Sequence, residues 1–239
     1  MEKNEDRVGG GFERYPTDIY VGKITHAFLG QWDSGAKYFD LAIVMDDGKK
    51  YQQKITITNS KGDNFWTKEG KNYPLPGFTI LDDLAQTTAG VDASELDTEE
   101  RIIMVKDNGQ DVQKSVEMIV QLVGERTAFA LQRKITTKME KDAEGKYTIP
   151  TTTENSENEI VKIFHEPTMM TTVEAANGKE AGEFHKAWLE ANQGKDRDAR
   201  YKGNIKPVAT GAPTTKASAP GVAPKPGAAA PAKKSLFNK

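Results

Sequence analysis

Residues 37–58 read KYFDLAIVMDDGKKYQQKITIT, and no other stretch limits the fold as tightly. Two runs rich in β-branched and aromatic residues flank Asp47-Gly48, the kind of dipeptide a two-residue hairpin turn requires. A third run, ITHAFL at 24–29, precedes them across the turn-forming GQWDSG at 30–35. Successive strands joined by tight turns point to an antiparallel β architecture.

In a strand running from Lys50 to Thr58, side chains alternate between two faces. Tyr51, Gln53, Ile55 and Ile57 share the face suited to an interior. Lys50, Gln52, Lys54, Thr56 and Thr58 share the other, a polar and cationic surface able to run along phosphates.

Further along, NSKGDN (59–64) is a turn and PLPGF (74–78) a rigid corner. TILDDLAQTTAG (79–90) is read as a short helix closed by Gly90. RIIMVK (101–106) reads as a strand. SVEMIVQLVG (115–124) is ambiguous, and Gly124 as a C-cap favours a helix. RTAFALQRKIT (126–136) reads as a strand, and NEIVKIFH (158–165) as a strand or docking segment. KEAGEFHKAWLEANQG (179–194) is helical, with Phe184, Trp188 and Ala191 on one face. The fold class is therefore mostly β with α additions (α+β), a small β-barrel carrying short helices.

Three zones divide the chain: a flexible N-terminus at 1–11, one domain at 12–200, and a tail at 201–239. The body ends near Asn192 or Tyr201. Beyond it proline, alanine, glycine and threonine dominate, and large apolar residues are nearly absent until Leu236 and Phe237. Such a segment buries too little surface to offset its ordering entropy, so disorder is expected. It carries seven lysines and no acid. That leaves 26 of the 33 basic residues and all 35 acidic ones in the first 200 positions, an acidic body behind a net charge of only −2.

No cysteine is present, which excludes disulfides, thiolate nucleophiles and thiolate zinc sites and suits a reducing cytoplasm. No apolar run approaches the ~20 residues of a membrane span, and MEKNEDRVGGGF lacks the pattern of a secretory signal. Catalysis finds little support. His26, His165 and His185 form no metal-binding pair, Gly9-Gly10-Gly11 follows no strand, and no GxSxG occurs. The acidic pairs Asp46-Asp47, Asp82-Asp83 and Glu99-Glu100 sit at turns or helix starts, where solvation or capping accounts for them. The expectation is a protein that is not an enzyme and takes neither cofactor nor metal.

Between 49 and 73, lysines and rings interleave: Lys50, Lys54, Lys61, Phe65, Trp66, Lys68, Lys71 and Tyr73. Phe65 and Trp66 are adjacent, so a strand points them to opposite sides and leaves one exposed unless another element covers it. Trp32 and Tyr38 flank the first turn and add two more rings. Exposed rings stack on unpaired bases and lysines hold phosphates, the chemistry of single-strand binding. The bland reading is a solvated hairpin whose aromatics are all core, on an acidic β-rich scaffold or interaction protein.

KYQQKITITNSKGDNFWTKEGKNYPLPGF resembles the single-stranded-DNA-binding proteins of tailed bacteriophages. The shared features are a strand ending in Thr58-Asn59, an aromatic-bearing turn, the pair Gly70-Lys71, LPGF at 75–78 and a short helix. NEIVKIFH and the helix carrying Trp188 extend the resemblance over roughly residues 11–192. It implies a five-stranded OB-fold and sequence-independent coating of single-stranded DNA in phage replication, recombination and repair, within the host cytoplasm. The DNA-binding residues it implies are Lys50, Lys54, Phe65, Trp66, Lys68, Lys71 and Tyr73, with Trp32, Tyr38 and Lys61 beside them. One departure is plain. Many single-strand binders end in an acidic tail, whereas this chain ends PAKKSLFNK, where Lys233, Lys234, Leu236, Phe237 and Lys239 form a lysine-flanked hydrophobic hook. Its candidate roles are extra phosphate contacts, recruitment of an acidic replication or transcription partner such as a polymerase, and a return onto the acidic body. An inert terminus is the plain alternative.

Overall fold

The computed structural model describes residues 14–107, 110–145 and 147–203, and within these the chain is mostly β with a few short helices. The expected flexible N-terminus and nearly all of the tail lie outside the described residues.

β1 (Asp18–Gln31), β2 (Lys37–Met45) and β3 (Lys50–Thr56) form an antiparallel run in sequence order. β1 shifts register against β2 between Ile24 and His26. β2 lines one edge of β1 from Gly22 to Gln31, while the other edge pairs with β8 (Arg126–Lys141) over Asp18–Lys23 and with residues 117–118 at Phe28 and Leu29. β8 continues into β9 (Tyr147–Phe164) as a long antiparallel hairpin. The ladder thus runs β3-β2-β1-β8-β9 and stays open between β3 and β9. Side chains span that gap. Ile160 N donates to Gln53 Oε1 at 3.0 Å, and the Tyr51 hydroxyl lies 3.1 Å from Asn158 O.

The alternation expected for β3 holds from Lys50 to Thr56, with Tyr51 and Ile55 buried and Lys50, Gln52, Lys54 and Thr56 exposed. Thr58 departs from it. The strand has ended, and Thr58 is buried where its Oγ1 accepts from Lys37 N at 2.8 Å.

α1 (Pro76–Thr88) begins at Pro76, whose fixed φ suits a first helical position. It lays Ile80, Leu81, Leu84 and Ala85 on the core formed with Phe39, Leu41, Ile43, Phe129 and Ile163. Its buried Asp83 is met by Lys162 Nζ at 2.6 Å and Thr172 Oγ1 at 2.5 Å, which ties α1 to β9 and to α2 (Thr172–Ala176). α3 (Phe184–Asn192) sets Trp188 against Ala128, Ala130 and Phe164.

The helix favoured for 115–124 is not there. β6 (Thr98–Asp107) and β7 (Gln110–Ile119) form a hairpin, followed by one 3₁₀ turn at Val120–Leu122. The period-two pattern decides it. Val116 and Met118 are buried against Phe28, while Ser115 and Glu117 face solvent. The body also reaches past Asn192, because β10 (Arg197–Ala199) pairs parallel to β8.

Candidate nucleic-acid interface

β4 (Phe65–Lys68) and β5 (Lys71–Pro74) make a two-stranded ribbon outside the main sheet. Its tip is Glu69-Gly70, both at positive φ (52° and 74°), as a type I′ turn requires. That turn fixes the register: Trp66 opposite Tyr73, and Lys68 opposite Lys71. Alternation then gives the ribbon two unlike faces. Thr67 and Asn72 hydrogen-bond at 2.8 Å on one. The other carries Trp66 and Tyr73, stacked at 4.9 Å and 24° and exposed at 46% and 40%, with both lysines beyond them. Phe65, on the Thr67 side, is half-buried. The adjacent rings do point opposite ways, and Trp66 is the free one.

A second ring site lies at the β1–β2 turn. Trp32 is 39% exposed and packs 4.4 Å from Tyr38, and its Nε1 donates to Thr56 Oγ1 at 3.1 Å. Lys54 Nζ lies over both rings, 5.7 Å from Trp32 and 5.2 Å from Tyr38. Tyr38 itself is buried, so its ring is not free to stack on a base. It acts as the shelf under Trp32. Gly30 makes room for it, since a Cβ there would sit 2.4 Å from Tyr38 Cζ. The 59–64 turn approaches the β1–β2 turn, with Ser60 O 3.3 Å from where a Gly35 Cβ would lie. Trp32 and the base of the ribbon therefore share one end of the molecule.

Several cations are already held by carboxylates. On the β8–β9 hairpin and the segment beside it, Arg133 pairs with Asp196, Lys134 with Glu157 and Glu159, and Arg200 with Glu154 and Asp198. On β3, the 59–64 turn and the ribbon, Lys50, Lys54, Lys61, Lys68 and Lys71 are all exposed, and none makes an ion pair among the described residues. Lys68 and Lys71 directly oppose each other, an unfavourable pair that an anion between them would relieve.

Sequence reading gave no sign of the cleft at the open edge. A cavity of about 310 Å³ lies there, lined by Arg14, Tyr15, Lys50, Gln52, Lys54, Glu157 and Asn158 among others. Arg14, Glu157 and Asn158 arrive from opposite ends of the chain, and no local motif links them to β3. Burial and the nearby Glu159 push the Tyr51 phenol well above its usual range, which keeps its hydroxyl protonated at the cleft wall.

Among the described residues, no cluster of three or more His, Asp or Glu side chains could hold a metal ion. No helix among them is long and apolar enough to cross a membrane. In comparisons with known proteins, no family model and no curated sequence matches the chain significantly.

Proposed function

We propose that this chain is a sequence-independent single-stranded-DNA-binding protein without enzymatic activity, built on an OB-like barrel of β1, β2, β3, β8 and β9. The strand runs along the outer face of β3 and onto the ribbon. One observation carries the reading: three exposed rings, Trp32, Trp66 and Tyr73, stand among five lysines that no carboxylate of the described residues answers. Rings stack on bases of any identity, and a duplex hides the faces they need. Lysines add the salt-sensitive share of affinity. A scaffold whose aromatics are all core would not leave these three open. Lys50, Lys54, Lys61, Lys68 and Lys71 take phosphates; Trp66, Tyr73 and Trp32 take bases; Phe65 and Tyr38 brace them. By its resemblance to tailed-phage proteins the chain serves DNA replication, recombination and repair in the host cytoplasm, and its C-terminal end recruits a partner protein such as a polymerase.

The test is a titration of tryptophan fluorescence with oligothymidine and with duplex DNA, at low and high salt. Quenching by the single strand, weak response to duplex and loss of affinity at high salt are expected. Absence of both quenching and gel retardation removes the reading and leaves the interaction protein.

A further inference from the structure

The β6–β7 hairpin has one covered face and one open face. Ile103, Val116 and Met118 pack with Phe28 on the covered side. On the open side Ile102 is 72% exposed and Met104 60%, two aliphatic side chains two residues apart on one strand. Next to them Glu100 stands directly opposite Glu117. Like charges in a cross-strand pair oppose the pairing. Ser115 Oγ donates to Glu100 Oε1 at 2.6 Å, yet neither carboxylate makes an ion pair among the described residues. A shallow cleft of about 510 Å³ lies between them, lined by Thr98, Glu100, Ser115, Val116 and Glu117. The face therefore offers an apolar pair beside an unanswered pair of negative charges, and it suits an occupant with two apolar side chains flanked by cations.

The chain carries such a segment at its own end. Lys233-Lys234-Ser235-Leu236-Phe237-Asn238-Lys239 sets an apolar pair between lysines, and no acidic residue occurs after Asp198. Reach is adequate. Thirty-one residues lie between Tyr201 and Lys233, a span of roughly 30 Å root mean square for a flexible chain. A body of 200 residues has a radius of gyration of about 17 Å. The other occupants fit less well. A second copy placing the same face against this one would set Glu100 and Glu117 near their twins. Nucleic acid would be repelled by the same carboxylates.

We propose that Lys233–Lys239 docks on the open face of the β6–β7 hairpin of its own molecule, Leu236 and Phe237 covering Ile102 and Met104 and the lysines answering Glu100 and Glu117. Docking keeps the hydrophobic hook out of solution and sets a threshold that any acidic partner must exceed to take it. The inference stands apart from the DNA-binding reading, since it uses neither β3 nor the ribbon.

The absence of native cysteine makes the test clean. A nitroxide is attached to the full-length Asn238→Cys variant, and paramagnetic broadening of backbone amides is recorded with nitrogen-15 labelling. Broadening confined to residues 98–104 and 113–117 is expected. It should fall several-fold in Leu236→Ser/Phe237→Ser, at high salt, and in Met104→Glu, whose position is exposed enough to tolerate the change. Broadening centred on β3 and the ribbon, broadening unaffected by the two tail substitutions, or none at all overturns the proposal. Equal broadening when the nitroxide sits on a separate, isotopically unlabelled molecule also overturns it, because the contact then joins two copies.

Discussion

Lys68 and Lys71 face each other across the ribbon with no carboxylate of the described residues answering either, two residues in register from the stacked pair Trp66 and Tyr73. A protein tuned only for stability gains nothing from like charges set directly opposite beside two exposed rings. The arrangement has a physical use once a phosphate lies between the lysines and a base on the rings.

Trp66→Ala should therefore weaken binding of oligothymidine and leave the fold intact. Stacking contributes roughly 1–3 kcal/mol per base, which corresponds to about 5- to 150-fold in Kd. The side chain is nearly half exposed, so the urea midpoint should shift by no more than about 0.5 kcal/mol equivalent. Trp188, packed against Ala128 and Phe164, should supply an emission that DNA does not quench. A Trp66→Ala protein with unchanged affinity would move the base platform elsewhere.

Lysine substitutions should read differently. Each single-strand phosphate contact contributes about 0.7 to the slope of log K against log salt. Lys68→Gln and Lys71→Gln should each lower that slope by about this amount, with little loss of quenching at low salt. Arg133→Gln should weaken no phosphate contact, because Asp196 already holds that guanidinium at 2.6 Å. A fall in slope for Arg133→Gln equal to that for Lys71→Gln would contradict the division between paired and unpaired cations.

Much of this was legible in the sequence, for reasons particular residues make plain. The β2–β3 hairpin was readable because Asp47-Gly48 and the alternation around it state turn and register together. The opposed directions of Phe65 and Trp66 followed from strand geometry alone. Which ring was free did not, since exposure depends on what packs above it. Tyr38 shows the cost: it flanks the same turn as Trp32, yet only the contact with Gly30 reveals that its ring is spent as a shelf. The stretch 115–124 misled because Gly124 resembles a helix stop, while the deciding partner, Phe28, lies far away in sequence. The edge cleft was invisible for the same reason, being assembled from Arg14, β3 and Asn158.

The ribbon tip offers a gain rather than a loss. Glu69 holds φ at 52°, a region that asparagine tolerates far better, and in the sequence it stands between Lys68 and Lys71. Glu69→Asn should tighten oligothymidine binding a few-fold by stiffening the turn and removing a negative charge. Glu69→Gln removes only the charge and should recover only part of the gain. Equal gains from both would assign the whole effect to electrostatics. Matched titrations at one salt concentration, with the slope recorded for each variant, make the comparison.

Acid should loosen the α2–α3 segment before the sheet, and Glu174 is the reason. Its buried carboxylate accepts from Thr171 N at 3.0 Å and from Glu183 N and Phe184 N at 2.8 Å each, and it lies 3.2 Å from Thr171 Oγ1. Burial alone would raise its pKa, but these donors outweigh it and hold the group down at about 2. A depressed carboxylate stabilises the fold fully above its ordinary value of 4.5, and that stabilisation is lost as pH falls toward 2. Trp188 on α3 reports the event, so its emission should change between those limits while the far-ultraviolet β signal persists. Glu174→Gln keeps one acceptor oxygen but loses the charge; it should cost about 1–3 kcal/mol at neutral pH and flatten this acid transition. A transition that survives unchanged in the glutamine variant would assign it to other carboxylates, with Asp83 and its partner Lys162 the next pair to substitute.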